Sequence, residues 1–147
     1  PYAKPDEHGR PMYEMPGKPG RPLPYLGYAQ GAYLGQMVDL ILKRSSAAIH
    51  LDRVYETDMA EGLKAMALEG HGVAFLPMSA VRKEVRAHKL VSAVPPELKD
   101  LSITMEIRAY RERPVQKDGH RPSPHLGLGG EAKSHAQNLW DYLGAAT

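Results

Sequence analysis

Cysteine is missing from the 147 residues, which removes disulfides and thiolate chemistry and agrees with a reducing compartment, the cytoplasm. No run approaches the roughly 18 consecutive apolar residues of a membrane-crossing helix, and no charged start leads into an apolar stretch as in a secretory leader. A cytoplasmic chain without a membrane partner is expected. Charge of one sign is lacking too: 19 Lys and Arg against 17 Asp and Glu leave a net charge of +2, with both signs interleaved and no basic block. Such a segment makes a poor nucleic-acid surface by itself. An initiator Met is absent, since the first residue is Pro1, and the chain is expected to be a fragment of a longer protein.

Catalytic constellations are equally lacking. No Ser/His/Asp order, phosphate-binding glycine loop or working pair of carboxylates stands out, so no catalytic residue and no enzyme activity is expected. His120, His125 and His135 lie in a loop and a helix without ligand spacing or a clustered carboxylate, so neither a metal site nor a cofactor is expected. His71 sits between two glycines as a turn residue.

The chain is long enough for one domain with a true core, burying roughly 70% of the surface it exposes when unfolded. Its 13 Pro and 14 Gly concentrate between Pro1 and Pro24 and between Pro114 and Gly130, so the flanks read as loops and the middle as folded. Leu23–Ala29 (LPYLGYA) suits a buried strand. From Ala32 to Lys43, apolar Tyr33, Leu34, Met37, Val38, Ile41 and Leu42 form a broad helical stripe. Ile49–Glu56 alternates as a strand.

Thr57 and Asp58 open a second helix, where Asp58 and Glu61 fit a capping box and Gly70 supplies the stop. Its apolar face is Met59, Leu63, Met66 and Ala67. Gly72–Leu76 (GVAFL), ended by Pro77, reads as a parallel strand covered on both faces. Ser79 can cap a third helix to about Ala87, Leu90–Val94 forms a short strand, and Leu101–Arg111 alternates as a long one. Glu131–Leu143 is a last helix, in which Trp140 is expected to be largely buried. This alternation predicts an α/β domain with a mainly parallel sheet.

Tyr55–Val81 (YETDMAEGLKAMALEGHGVAFLPMSAV) resembles the most recognisable stretch of the regulatory domain of LysR-type transcriptional regulators. The shared pattern is a strand ending in polar Thr57, a helix closed by Gly70-His71-Gly72, and a strand ending at Leu76-Pro77 before another helix. A short strand with Leu90 and Val91 and a long one with Arg108, Tyr110 and Arg111 follow in the same order. The resemblance covers roughly Pro22 to Arg111.

It implies a periplasmic-binding-protein type II-like fold, two α/β lobes joined by crossing strands, of which this chain holds an incomplete part. Residues 1–112 would be the second lobe, with PYAKP ending the first crossing strand. Residues 113–147 would be a return segment whose loop and C-terminal helix pack on a first lobe absent from this sequence. The implied function is effector sensing: a small molecule in the interlobe cleft controls DNA binding or transcription by the full-length protein. The implied partners are that effector, other copies of the chain in a homo-oligomer, and DNA, reached only through an N-terminal winged helix-turn-helix not present here.

In an open parallel sheet, ligands sit beyond the carboxyl ends of strands, at helix N-termini whose N–H groups attract anions. Two turns qualify. One offers Gln30, Gly31, Ala32 and Tyr33; the other Thr57 and Asp58, with Phe75, Leu76 and Pro77 from the neighbouring strand end. Each of these residues also has a plainer reading, Thr57 or Asp58 as a cap and Gly31 as a turn. The Asp58 carboxylate at a helix N-terminus would compete with an anion and favour a neutral or cationic effector, whereas an Asp58 turned away as a cap would leave an anion possible. The alternatives to a regulator are a fragment of a periplasmic solute-binding protein, an oxidant-sensing variant acting through Met, and an enzyme on the same two-lobed fold. Met37, Met66 and Met105 read as core filling; Met12, Met15, Met59 and Met78 lie where oxidant could reach.

Overall fold

The computed structural model describes residues 1–98, 100–106, 108, 110 and 138–142. Five strands and three helices alternate along the first of its two units, Pro1–Ile107: β1 (Tyr2–Ala3), β2 (Leu23–Tyr28), α1 (Tyr33–Arg44), β3 (Leu51–Thr57), α2 (Ala60–Glu69), β4 (Val73–Ala74), α3 (Met78–Arg86) and β5 (Val91–Ser92). The strands form one sheet in the order β3-β2-β4-β1-β5. Pairings of β2 with β3 and with β4 are parallel, whereas β1 runs antiparallel to both β4 and β5. The sheet is therefore mixed, and its parallel part carries the longest ladder, from Leu23↔Leu51 to Tyr28↔Thr57.

Right-handed crossovers decide where the helices go. The β2-to-β3 and β3-to-β4 connections run in opposite directions across the sheet, which puts α1 on one face and α2 on the other. The β4-to-β5 connection runs the same way as the second, so α3 joins α2. Lys64 ties these two helices together: its ammonium lies 2.6 Å from Glu61, 3.8 Å from Glu84, and donates to the Ala80 carbonyl at 3.2 Å. The Glu61 hydrogen bond is the main reason that ammonium is held above the usual lysine range.

Leu26, Leu63, Ala67, Val73, Ala74 and Val81 have no exposed surface and form the centre of the core. Tyr25 meets Phe75 edge to face with centroids 6.2 Å apart, and the Arg53 guanidinium lies 5.6 Å over the Tyr25 ring. Gly70 ends α2 as expected. Its φ of +87° is left-handed, its N–H donates to the Ala67 carbonyl and that of His71 to Met66, the bond pattern of a helix stop that glycine makes without strain.

Several expectations fail for identifiable reasons. The Asp58–Glu61 capping box does not form: Met59 is the N-cap residue of α2, no side chain caps it, and Glu61 is drawn to Lys64. Ser79 does not cap α3, because Pro77, with φ already at −60°, sets the start two residues earlier. Residues 101–106 are not in the sheet, since alternation alone makes no strand without a neighbouring ladder. Leu101 is buried, Ile103 half-buried and Met105 40% exposed; positions 107, 109 and 111 lie outside the described residues.

The Pro/Gly-rich start is a loop, but a pinned one. Met15, expected within reach of oxidant, is buried, and its N–H donates to the Ala93 carbonyl at 2.8 Å. His50 donates to Pro16 and Leu23 to His50, carrying this loop into the β2–β3 edge.

In the second unit, Arg108–Thr147, a helix is present at 138–142. Trp140 is half-buried where it was expected to be largely buried, and Leu139 and Tyr142 are exposed. The indole is a large surface that is seldom enclosed completely. The rest of the expected 131–143 helix, the 116–130 loop and the three histidines His120, His125 and His135 lie outside the described residues.

Close approach at the start of β4 gives a direct test of this packing. A Cβ added to Gly72 would stand 2.5 Å from the Pro24 carbonyl oxygen, whereas one at Gly20 would meet nothing within 4 Å. Because backbone must move at the first site, Gly72→Ala should cost about 1–3 kcal/mol. Gly20→Ala should stay within about 0.5 kcal/mol. Urea unfolding followed by circular dichroism measures both, and equal stabilities would refute the β2–β4 approach.

Candidate ligand-binding edge

The carboxyl ends of β3, β2 and β4 lie along one edge of the sheet because the three strands are parallel. Each runs directly into a helix, so the N-termini of α2, α1 and α3 line the same edge. The turn after β2 is knitted to β3 by the Ala29 N–H, which donates to the Thr57 carbonyl at 2.9 Å. Ala32 then donates to the Ala29 carbonyl at 3.1 Å, closing a tight turn over Gln30 and Gly31. Gly31 has φ of +88°, so the turn itself demands glycine, and the space beyond its Cα is open.

None of the three helix starts is capped by a side chain. Ala32, Met59 and Pro77 occupy the N-cap positions, and none supplies an acceptor. Thr57 Oγ1 does accept a hydrogen bond, from the Met59 N–H at 3.3 Å, but this bond stops one residue short of the helix. Asp58 is exposed and is not the cap of α2. Asp58 therefore does not take up the α2 N–H groups as a cap, and as an exposed carboxylate beside that helix start it disfavours an anion there. No acid lies in the first turn of α1 or α3, and Glu61 of α2 is paired with Lys64. Three positive helix ends thus lie along one edge, with no acid in the first turn of α1 or α3 and one exposed carboxylate, Asp58, just before the start of α2.

The nine candidate residues divide into two groups. Gln30, Gly31, Ala32 and Tyr33 lie at the α1 start and Thr57 and Asp58 at the α2 start, with Tyr33 65% exposed. Phe75, Leu76 and Pro77, by contrast, lie beside α1 on the wall of a groove of about 730 Å³. The other six do not line it. Tyr28 and the α1 residues Leu34, Met37, Val38 and Ile41 do; in the sequence the four α1 residues read only as a core-facing stripe. The available signal was the breadth of the α1 stripe: only Val38 and Ile41 are buried, so the sheet does not cover all of it.

Tyr28 is 2% exposed, and its hydroxyl is buried with no hydrogen-bond partner. Burial, with a smaller contribution from Tyr25, pushes the phenol up to about 12. Among the described residues, no group of three or more His, Cys, Asp and Glu could hold a metal ion, and no helix is long and apolar enough to cross a membrane.

A twisted sheet lobe with helix N-termini gathered at one edge defines a ligand-binding domain of the solute-binding type. A family model described as the LysR substrate binding domain matches residues 21–116, and the chain belongs to that family. Over 111 residues it is 34% identical to the HTH-type transcriptional regulator YjiE of Escherichia coli (strain K12), covering 76% of this chain and 34% of that protein. It is 33% identical over 111 residues to the HTH domain-truncated transcriptional regulator QseD of Escherichia coli O157:H7, covering 76% and 43%.

Among solved structures, it matches the apo regulatory domain of HypT from Salmonella typhimurium at a TM-score of 0.59 and 27% identity, covering 68% of this chain and 44% of that one. Full-length HypT, described as a hypochlorite-specific LysR-type transcriptional regulator, gives 0.58 and 30%, covering 66% and 32%. The fold is therefore that of LysR regulatory domains, a periplasmic-binding-protein type II-like fold, and the family is one of transcriptional regulators rather than enzymes. This chain spans less than half the length of the curated relatives it matches.

Burial of Tyr28 makes stability depend on alkaline pH. Its folded value is about 12, against roughly 10 in an unfolded chain. Below pH 10 the phenol is neutral in both states. Between pH 10 and about 12 only the unfolded state releases the proton, so stability falls as pH rises through that window. Tyr28→Phe should lose less stability than the parent between pH 9 and 11.5, measured by urea unfolding. Equal losses would mean that the phenol is not held neutral.

Proposed function

We propose that this chain is the effector-sensing part of a LysR-type transcriptional regulator, residues 1–112 forming the second lobe and 113–147 returning to a first lobe outside this sequence. The observation that carries the reading is the edge along which three helix starts lie, all without a side-chain cap, the α1 start directly after the Gly31 turn. An oxyanion placed there receives backbone N–H groups and helix dipoles at once. The effector is thus a small molecule whose anionic group lies at the α1 start among Gln30, Gly31, Ala32 and Tyr33, with an uncharged or hydrogen-bond-donating part facing Thr57 and Asp58 at the α2 start and Phe75, Leu76 and Pro77 at the end of β4.

The lobe supplies half of a cleft, and closure against the first lobe is the event that binding drives. In the full-length protein, closure changes how an oligomer presents its winged helix-turn-helix to DNA. The relatives' names support this assignment, since both are transcriptional regulators. A cytoplasmic protein without enzyme activity, cofactor or membrane partner completes the reading.

Thermal-shift screening of the intact sensing region with small carboxylates, sulfate and neutral metabolites tests it. A stabilising anion is expected, with at least tenfold weaker binding after Gln30→Ala or Thr57→Ala. Stabilisation that both variants retain in full, or that only neutral compounds produce, would refute the assignment of this edge.

A further inference from the structure

The groove beside α1 has a different chemistry from the edge. Its volume of about 730 Å³ is that of a pocket for one small organic molecule. The α1 wall is Leu34, Met37, Val38 and Ile41, and the opposite wall includes Leu101, Ile103 and Met105. Among the described residues, no Lys, Arg, His, Asp or Glu side chain lines it; its polar atoms come from Tyr2, Tyr28, serines, Thr104 and backbone. Pro1 also lines it, and burial pushes its amine down to about 5, so at neutral pH that group is uncharged; a charged ligand would lose its hydration there and meet no counter-ion, a cost of several kcal/mol.

Tyr28 supplies the second observation. It lines this groove, and its hydroxyl is the kind of group that folded proteins seldom leave unsatisfied, since a buried donor without an acceptor costs free energy that a bound acceptor recovers. Tyr2 does not compete for that role, because its hydroxyl contacts the Met78 sulfur at 3.7 Å. Reaching the Tyr28 hydroxyl requires a lining side chain to give way. Met37, Met78 and Met105, unbranched and readily repacked, are suited to that.

We propose that this groove is a second binding site, separate from the anion-directed edge, for one uncharged, largely apolar small molecule whose carbonyl or similar acceptor takes the hydrogen bond of the Tyr28 hydroxyl. The site stands whether or not the edge binds an effector, because only Phe75, Leu76 and Pro77 are common to both.

The naphthyl ketone prodan is a suitable probe, being neutral, apolar, equipped with one carbonyl acceptor and blue-shifted in emission on leaving water. Titration into the 147-residue chain should give saturable, blue-shifted binding. Tyr28→Phe should weaken it roughly 3- to 10-fold, the loss of one neutral hydrogen bond. Met105→Asp, at an exposed position of the lining, should abolish it without lowering the thermal midpoint. Gln30→Ala and Thr57→Ala should leave it unchanged. The absence of saturable binding, or unchanged affinity in either Tyr28→Phe or Met105→Asp, would overturn the proposal. So would binding that weakens as the chain self-associates at rising concentration, which would assign the groove to a second copy.

Discussion

Pairing on both sides of β2 is the constraint on which the lobe depends. This six-residue strand holds β3 on one side and β4 on the other, and its last four residues, Tyr25 to Tyr28, are all buried. Once β2 is fixed, two parallel neighbours require crossover helices, and right-handed crossovers in opposite directions require those helices to take opposite faces. Close approach makes the arrangement exact in register. Gly72 brings β4 against the Pro24 carbonyl, where any side chain would push the strands apart. Both the edge and the groove are consequences of that central strand.

The edge follows from polarity. Parallel strands deliver three helix starts to the same side, and the residues at those starts, Ala32, Met59 and Pro77, have no side-chain acceptor with which to satisfy them. Ordinary helices satisfy such N–H groups with Ser, Thr, Asp or Asn. Leaving three unsatisfied at one place forgoes roughly 1 kcal/mol of stability per cap and keeps the groups available to a ligand. The groove follows from unequal coverage. Two helices, α2 and α3, share one face of the five-stranded sheet, whereas α1 is the single named helix on the other, so part of that face and part of the α1 stripe remain open between α1 and residues 98–105.

What could be inferred from sequence follows the range of each interaction. Helical periodicity and the Gly70 stop are local, and α1, α2 and α3 begin and end within a residue or two of expectation. The run Gly72–Leu76 is wholly buried, as an uninterrupted apolar segment should be. Failures occur where a distant partner decides. Asp58 and Ser79 are good caps by composition, but the actual starts are set by the register of β3 and by Pro77. Residues 101–106 alternate properly yet lack a ladder, and Met15 is buried by contact with a segment nearly eighty residues away. The candidate edge was legible because strand polarity and helix order are encoded in the α/β alternation. The groove was not, because a stripe that is too broad looks the same as one fully covered until the covering surface is known.

Leu76 and Pro77 belong to both features and show why one lobe can offer two kinds of binding surface. Pro77 has a fixed φ and no N–H to satisfy, so the turn from β4 into α3 loses little freedom when a ligand arrives. An edge built on such turns, and on the Gly31 turn closed by Ala32, is preorganised and can recognise charge with backbone groups alone. The other side of the same residues faces Met37 and Met105, whose long unbranched chains adapt to shape but present no charge. Rigid dipoles suit an anion that must be held in one orientation; a deformable apolar wall suits a neutral molecule recognised mainly by burial and a single hydrogen bond.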